Sequence, residues 1–298
     1  MRRRNSPWLQ VFLIWLTQDF IRENIFHQSF HHWRIAIAVQ SPKYATPALD
    51  KGLEILELLA RSSRGLTLNE MSKAMGRTVS EIFRMVFTLE QRGYIASDDN
   101  DRYSLSLKMF ELSHRQQPLK SLVVTAMPLM RELAGRACQS CHLVVYHDGR
   151  TIVVSQVDSP GPFTFGPKVG TLSRLTDTAS GTILLAFVDE AERTRMIAAQ
   201  IRIDGELEID AALLLRQIET VRSDTGVTWP SRRNHGVTDI SRPVFAANRE
   251  VLAALTVPYV ERLDRLQSPS LVAVQEQVRE VALRLSELMS FSGHNTLQ

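Results

Sequence analysis

Cys138-Gln139-Ser140-Cys141-His142 spells C-x-x-C-H, the spacing that attaches a c-type haem through two thioether links and a proximal histidine. Two thiols on one helical turn could also answer an oxidant. Either use would make the chain a redox or haem-linked sensor built on Cys138, Cys141 and His142. Haem attachment further requires an exported apo-protein. The motif also falls where a helix hands over to a strand. Zinc would need more ligands, and none stands nearby at finger spacing. Nucleophilic catalysis has no footing, because G-x-S-x-G does not occur and the histidines are scattered. The expectation is a protein without catalytic residues, metal or cofactor.

A second group of residues points to contact rather than catalysis. In "TLNEMSKAMGRTVSEIFRMVFTLEQRGYI", Thr67 with Glu70 and Thr78 with Glu81 each give T-x-x-E. This is the capping box, in which the hydroxyl takes a first-turn amide and the carboxylate reaches back to the cap. Gly76 stands between the boxes, where the first helix must end in a left-handed residue. The result is a helix-turn-helix, whose second helix presents its first turns to base edges in the major groove. Arg77, Thr78, Ser80, Glu81 and Arg84 occupy those turns. Arginine bonds guanine bidentately, and such a pair discriminates by about 1–3 kcal/mol. Thr78 and Ser80 also suit phosphate, together with the helix amides. Ile82, Val86 and Leu89 face inward with Phe83 and Phe87 flanking them, while Ser80, Glu81, Arg84 and Met85 stay on or near the outer face. Arg92, next to Gly93, is also placed to complement the helix dipole.

The elements around this pair follow from periodicity. "ALDKGLEILELLARSS" is a helix with Leu49, Leu53, Leu56, Leu59 and Ala60 on one stripe. "YIASDDNDRYSLSL" alternates about an acidic turn and reads as a hairpin. Its Arg102 and Tyr103 are placed for the neighbouring backbone or minor groove, whereas "DDND" at the tip would repel phosphate. Three helices and a hairpin make a winged helix-turn-helix over residues 46–106. The linker over 107–120 carries a helix that ends before Pro118; a second helical stretch runs from Leu119, and Pro128 opens a fresh helix. Next come a hairpin about Asp148-Gly149, then a strand, glycine-rich loop and helix in "FTFGPKVGTLSRLTDTASGTILLAF". A helix stopped by Gly226 and a second hairpin follow. The closing helix turns Leu271, Val274, Val278, Val281, Leu285 and Leu288 inward. Residues 121–291 thus read as α+β, an antiparallel sheet with helices packed on it, and 292–298 form a tail.

At 298 residues, with 44% hydrophobic and 22% charged residues, the chain has a soluble globular composition and length for two domains. A net charge of +3 leans mildly toward anionic partners. No apolar run approaches the ~18–20 residues of a membrane span. Two cysteines give no disulfide framework, which fits a reducing cytoplasm. "MRRRNSPWLQVFLIWLTQDF" superficially suggests a signal peptide, but Gln10 interrupts its short apolar run and no cleavage site follows. Residues 1–45 therefore read as an extension, disordered or not native, with a membrane-surface or export role as the alternative.

The order of these pieces resembles the isocitrate lyase regulator family of bacterial transcription factors. The likeness runs from Ala48 to Met289, through "ALDKGLEILELLA", the helix-turn-helix, "DRYSLSLKMFELS", "GTLSRLTDTASGTILLAF" and "RPVFAANREVLAALTV". It implies a winged helix, a linker helix and a GAF-like effector-binding domain. It also implies dimers, often paired into tetramers, that bind an operator in double-stranded DNA under control of a small organic acid. The implied pocket takes Ala179 and Ser180 at a helix start, Asp239 on one strand, Thr256 on the next, and Phe165 as an apolar wall on the strand before the loop.

Three departures from the family pattern touch that pocket. Asp239 stands where a thiol or hydroxyl is common, Pro258 where a serine is, and Pro230 with Ser231 where an acidic pair is. An ionised Asp239 would repel a bound carboxylate unless Arg174 neutralises one of them, or the ligand is a polyol or sugar acid. Asp239 bonding only loop amides is the plainer alternative. Besides the redox sensor, a protein-docking winged helix remains as a further alternative.

Overall fold

A computed structural model describes residues 46–113, 115, 117–200, 210–263 and 268–292. The expected extension over 1–45 and the tail from 293 lie outside the described residues. The chain divides into two compact units that meet at Gln117 and Pro118.

The N-terminal unit runs α1 (Pro47–Ala60), α2 (Leu68–Met75), α3 (Val79–Gln91), β1 (Ile95–Ser97), β2 (Tyr103–Leu105) and α4 (Lys108–Ser113). The first capping box forms in full; at the second the carboxylate reaches back, while the Glu81 amide goes to Thr78 O at 3.1 Å. At the first, the Thr67 amide donates to Glu70 Oε2 at 2.9 Å and the Glu70 amide to Thr67 Oγ1 at 3.3 Å. At the second, the Glu81 carboxylate accepts from both the amide and the hydroxyl of Thr78, each at 2.9 Å. Gly76 lies between them at φ 62°, the left-handed conformation a residue with a Cβ resists. Ile55, Leu59, Met71, Ile82, Val86 and Ile95 make the core.

The apolar stripe expected on α1 is split. Gly52, Ile55 and Leu59 face inward, while Leu49 and Leu53 stay exposed. Met85, assigned to the outer side of α3, packs partly against the core. The antiparallel wing pairs Ile95 with Leu105 and Ser97 with Tyr103, and Leu66 bridges to Tyr103.

The C-terminal unit begins with α5 (Gln117–Ala137). Neither proline interrupts it: Pro118 lies in its first turn and Pro128 inside it. Leu122, Ala126, Leu129, Leu133 and Ala137 keep one helical stripe across Pro128. Their burial outweighs the ~3 kcal/mol that a mid-helix proline costs. There follow β3 (Cys141–His147), β4 (Arg150–Val157), β5 (Leu172–Arg174), α6 (Ala179–Ala186), α7 (Glu190–Ala198), α8 (Ala211–Asp224), β6 (Val227–Pro230), β7 (Val237–Phe245), β8 (Val251–Val260) and α9 (Leu271–Ser292).

The sheet order is β5-β4-β3-β8-β7-β6, antiparallel throughout. On one face, α5 and α9 pack over Cys141, Leu143, Ile240 and Leu255, with Val274, Val278, Val281 and Leu285 of α9 fully buried and Leu288 exposed. On the other, α6 and α8 pack over Val144, Val153 and Ala254. This is the expected α+β architecture. Asp148 (φ 43°) and Gly149 (φ 75°) make the hairpin turn whose two left-handed residues match the strand twist.

The sequence reading differs at three further points. The strand expected at Phe165 does not form; the strand of that region is β5, after the loop. The helix α7 and strand β6 were not anticipated. The end of α8 is turned by Thr225, at φ 52°, rather than by Gly226.

Candidate functional site

On α3, Ile82 and Val86 are buried and Ser80 and Arg84 lie on the opposite, exposed side, as 3.6 residues per turn requires. The Arg84 side chain makes no hydrogen bond or ion pair among the described residues, so its guanidinium is available. The other expected contacts are more tied. Arg77 Nη2 lies 3.0 Å from Glu54 Oε2. Glu81 is held by Thr78 and by Lys51 at 3.6 Å; the Thr78 amide above all keeps its carboxyl below the usual range. The Thr78 hydroxyl also meets Ser80 Oγ at 3.2 Å.

The wing contacts change role in the same way. Arg102 bonds the carbonyls of Arg64 and Gly65, each at 3.2 Å, and Glu70 Oε2 at 2.8 Å, pinning the wing to the start of α2. Tyr103 packs partly on the core rather than projecting. At the acidic tip, Asp98 Oδ1 takes the amides of Asn100 and Arg102 at 2.9 Å each, so this carboxylate builds the turn. Phe83 and Phe87, expected as flanks of the inward face, are half exposed and stacked on each other.

In the C-terminal unit, α6 packs against β3, β7 and β8. Its cap is Thr178, whose hydroxyl accepts from the Gly181 amide at 3.1 Å and donates to Arg174 O at 2.8 Å. A Cβ on Gly181 would sit 2.2 Å from Leu175 O, so only glycine allows this approach. Ala179 and Ser180 are buried, and their amides have no hydrogen-bond partner among the described residues. Such amides form an anion site when a ligand reaches them.

Beneath α6 lies a row of polar side chains that the register puts on one face: Ser241 opposite Thr256, and Thr256 opposite His142. Ser241 Oγ and Thr256 Oγ1 are 2.8 Å apart. His142 Nδ1 is buried without a partner among the described residues, and burial lowers its pKa to about 4. Asp239, two residues before Ser241, is opposite Pro258. Burial raises its pKa, opposed by a hydrogen bond from Ser231 and the Arg233 charge.

The cation acting on Asp239 is therefore Arg233, which the sequence reading missed. Arg174 is buried on β5, with β4, β3 and β8 between it and β7. Phe165 is on a loop and 42% exposed, and its neighbour Gly166 lies over Ser140 and Pro258. The structure thus gathers Ala179, Ser180, Asp239 and Thr256 on one side of the sheet, with His142 and Ser241 added. No spacing rule links His142 to Ser241; only strand register does.

The C-x-x-C-H side chains do not converge. Cys141 is fully buried in the α5/α9 core, its thiol donates to Met130 O at 3.4 Å, and burial pushes its pKa up to about 12. His142 points to the opposite face. Cys138 follows α5 at φ 51° and bonds Gly135 O. No helix among the described residues is long and apolar enough to cross a membrane.

Comparison with known proteins bears on both units. A profile of the IclR helix-turn-helix domain matches residues 48–99, and one of the bacterial transcriptional regulator IclR C-terminal matches residues 119–287. The HTH-type transcriptional regulator KdgR of Dickeya chrysanthemi is 26% identical over 244 residues, 80% of this chain and 79% of that protein. XynR of Escherichia coli K12 is 24% identical over 249 residues, 82% and 97% of the two chains. The crystal structure of an IclR homologue from Microbacterium hydrocarbonoxydans, complexed with 4-hydroxybenzoate, superposes at a TM-score of 0.68 with 18% identity, over 81% of this chain and 98% of that one. An IclR regulator from Alicyclobacillus acidocaldarius gives 0.65 and 22%, over 83% and 100%. At these identities the two structures speak to fold alone. Both domain profiles match in chain order, and this chain belongs to the IclR family of DNA-binding transcriptional regulators with a C-terminal effector-binding domain.

Proposed function

We propose that operator binding by α3 is modulated by a small organic or sugar acid, drawn from a catabolic pathway and bound beneath α6. The observation that carries this reading is the pair of unpartnered amides at the buried start of α6, beside the row of Asp239, Ser241, Thr256 and His142. Amides of Ala179 and Ser180 take the ligand carboxylate. Thr256 and Asp239 take its hydroxyls, with Arg233 limiting repulsion between Asp239 and the acid. The 4-hydroxybenzoate held by the Microbacterium homologue, a carboxylate with a hydroxyl, is consistent with that class. No catalytic step is assigned.

On the DNA side, Arg84 reads a base edge while Thr78 and Ser80 take phosphate. The protein acts in the cytoplasm as a dimer or a pair of dimers on an inverted repeat, two recognition helices meeting two half-sites. Leu49 and Leu53 of α1 with Met109 and Leu112 of α4 line an apolar groove suited to a second copy of the chain. The test is calorimetric titration of acids and polyols, alongside operator binding, for wild type and Asp239→Asn. Altered effector affinity with unchanged effector-free DNA affinity is expected. Identical effector curves would leave Asp239 a loop-bonding carboxylate.

A further inference from the structure

From the recognition helix we infer that Phe83 and Phe87 read the C5-methyl groups of thymine, so that each half-site carries thymine next to the base pair contacted by Arg84. This rests on the reading of α3 as the helix that enters the major groove. Phe83 is 50% and Phe87 53% exposed, an unusual outlay of apolar surface on a helix whose inward face is already filled by Ile82 and Val86. Their ring centroids are 6.4 Å apart with 26° between planes, so the two rings form one continuous apolar face. Phe87 lies three residues beyond Arg84, on the same side of the helix. A helix seated in the groove brings that flank to the base edges along with the arginine.

The chemistry of the groove selects the occupant. Adenine, guanine and cytosine offer hydrogen-bonding atoms there, which a phenyl ring leaves unpaired. Thymine alone of the four bases offers a methyl group, and phenylalanine is among the side chains that pack on it.

A second copy of the chain is the rival occupant, and the structure directs it elsewhere. The apolar groove between α1 and α4 meets α3 along Ser80, Glu81, Arg84, Met85, Thr88 and Leu89, and neither Phe83 nor Phe87 borders it. The groove and the phenyl pair thus lie on different sides of α3, and Ser80 and Arg84 stand at the edge of the groove.

The test uses the full chain. Its preferred site is selected from random duplex DNA and resynthesised with deoxyuridine in place of each thymine in turn. This deletes one methyl group and keeps every hydrogen-bonding atom. At one or two positions per half-site the wild type should lose about fourfold in affinity, the worth of one buried methyl. Phe83→Ala and Phe87→Ala should bind the site more weakly and cease to distinguish thymine from deoxyuridine at those positions.

Neutral replacement at every thymine overturns the inference while leaving sequence-specific binding intact. So does a deoxyuridine penalty that survives in both variants. A change in oligomer mass on sedimentation would assign the rings to a protein contact and overturn it as well. If no sequence is selected at all, DNA reading by α3 falls first and this inference with it.

Discussion

Replacing His142 with leucine should remove part of the acid sensitivity of the C-terminal unit. His142 is 7% exposed, its Nδ1 has no partner among the described residues, and burial takes its pKa from 6.5 to about 4. The residues opposite it, Gln156 and Thr256, carry no charge that would favour the imidazolium. The folded protein therefore keeps the ring neutral where the unfolded chain protonates it. With fewer protons bound when folded, stability rises with pH. It is whole above 6.5 and declines as pH falls from 6.5 toward about 4, below which the folded form takes the proton too.

Between about pH 7 and about pH 5 this linkage removes about 2 kcal/mol, and the full shift caps the loss near roughly 3 kcal/mol. Urea unfolding of the full chain, followed by circular dichroism at several pH values, measures it for both proteins. The leucine also alters packing, but equally at every pH, so the slope is the readout. The wild type should lose about 2 kcal/mol more than His142→Leu over that interval. Parallel pH profiles would refute the placement of a neutral, unpartnered imidazole inside the sheet.

Arg84→Ala should lower operator affinity by about 1–3 kcal/mol and relax specificity at one base position, read by binding to a set of single-base operator variants. Arg102→Ala should instead loosen the wing, since its partners are Arg64, Gly65 and Glu70; faster amide exchange in β1 and β2 is the expected sign. Gly181→Ala forces a Cβ to within 2.2 Å of Leu175 O and should destabilise the C-terminal unit by at least about 1–3 kcal/mol in a thermal melt, without moving base preference.

The sequence displayed the parts of this fold that short-range rules govern. T-x-x-E twice about a glycine located α2 and α3, Asp148-Gly149 located a hairpin, and the apolar runs of a second hairpin located β7 and β8. It misled where tertiary burial overrides local preference. Pro128 reads as a break, yet the stripe from Leu122 to Ala137 holds α5 together. Leu49 and Leu53 read as core because periodicity reports apolarity, not which neighbour covers it. The helix α7 has its own cap, Asp189 bonding the Glu192 amide at 2.7 Å, and was visible in principle.

The site was legible only in outline. Resemblance pointed to Ala179, Ser180, Asp239 and Thr256, which are brought to one side of the sheet. Arg174, named from the residues to neutralise Asp239 or the ligand, lies on β5 with β4, β3 and β8 between it and β7. Arg233 acts on Asp239 from the loop between β6 and β7, a pairing that no sequence separation announces.

Strand alternation gives the two halves of the C-x-x-C-H motif different consequences. A ligand changes DNA affinity only by the difference in its own affinity for two states of the protein, and a tenfold effect needs about 1.4 kcal/mol of such coupling. On β3, His142 faces the polar row, while Cys141, one residue earlier, faces the opposite core and bonds Met130 O of α5. The helix α5 starts at Gln117, where the N-terminal unit ends. A ligand seated against His142 and Thr256 would therefore press on a strand whose other face is bonded to the helix leading out of the DNA-binding unit. A close-packed interior transmits such strain instead of absorbing it. The Cys141 thiol bonds Met130 O of α5 at 3.4 Å, so β3 joins the polar row on one face to that helix on the other.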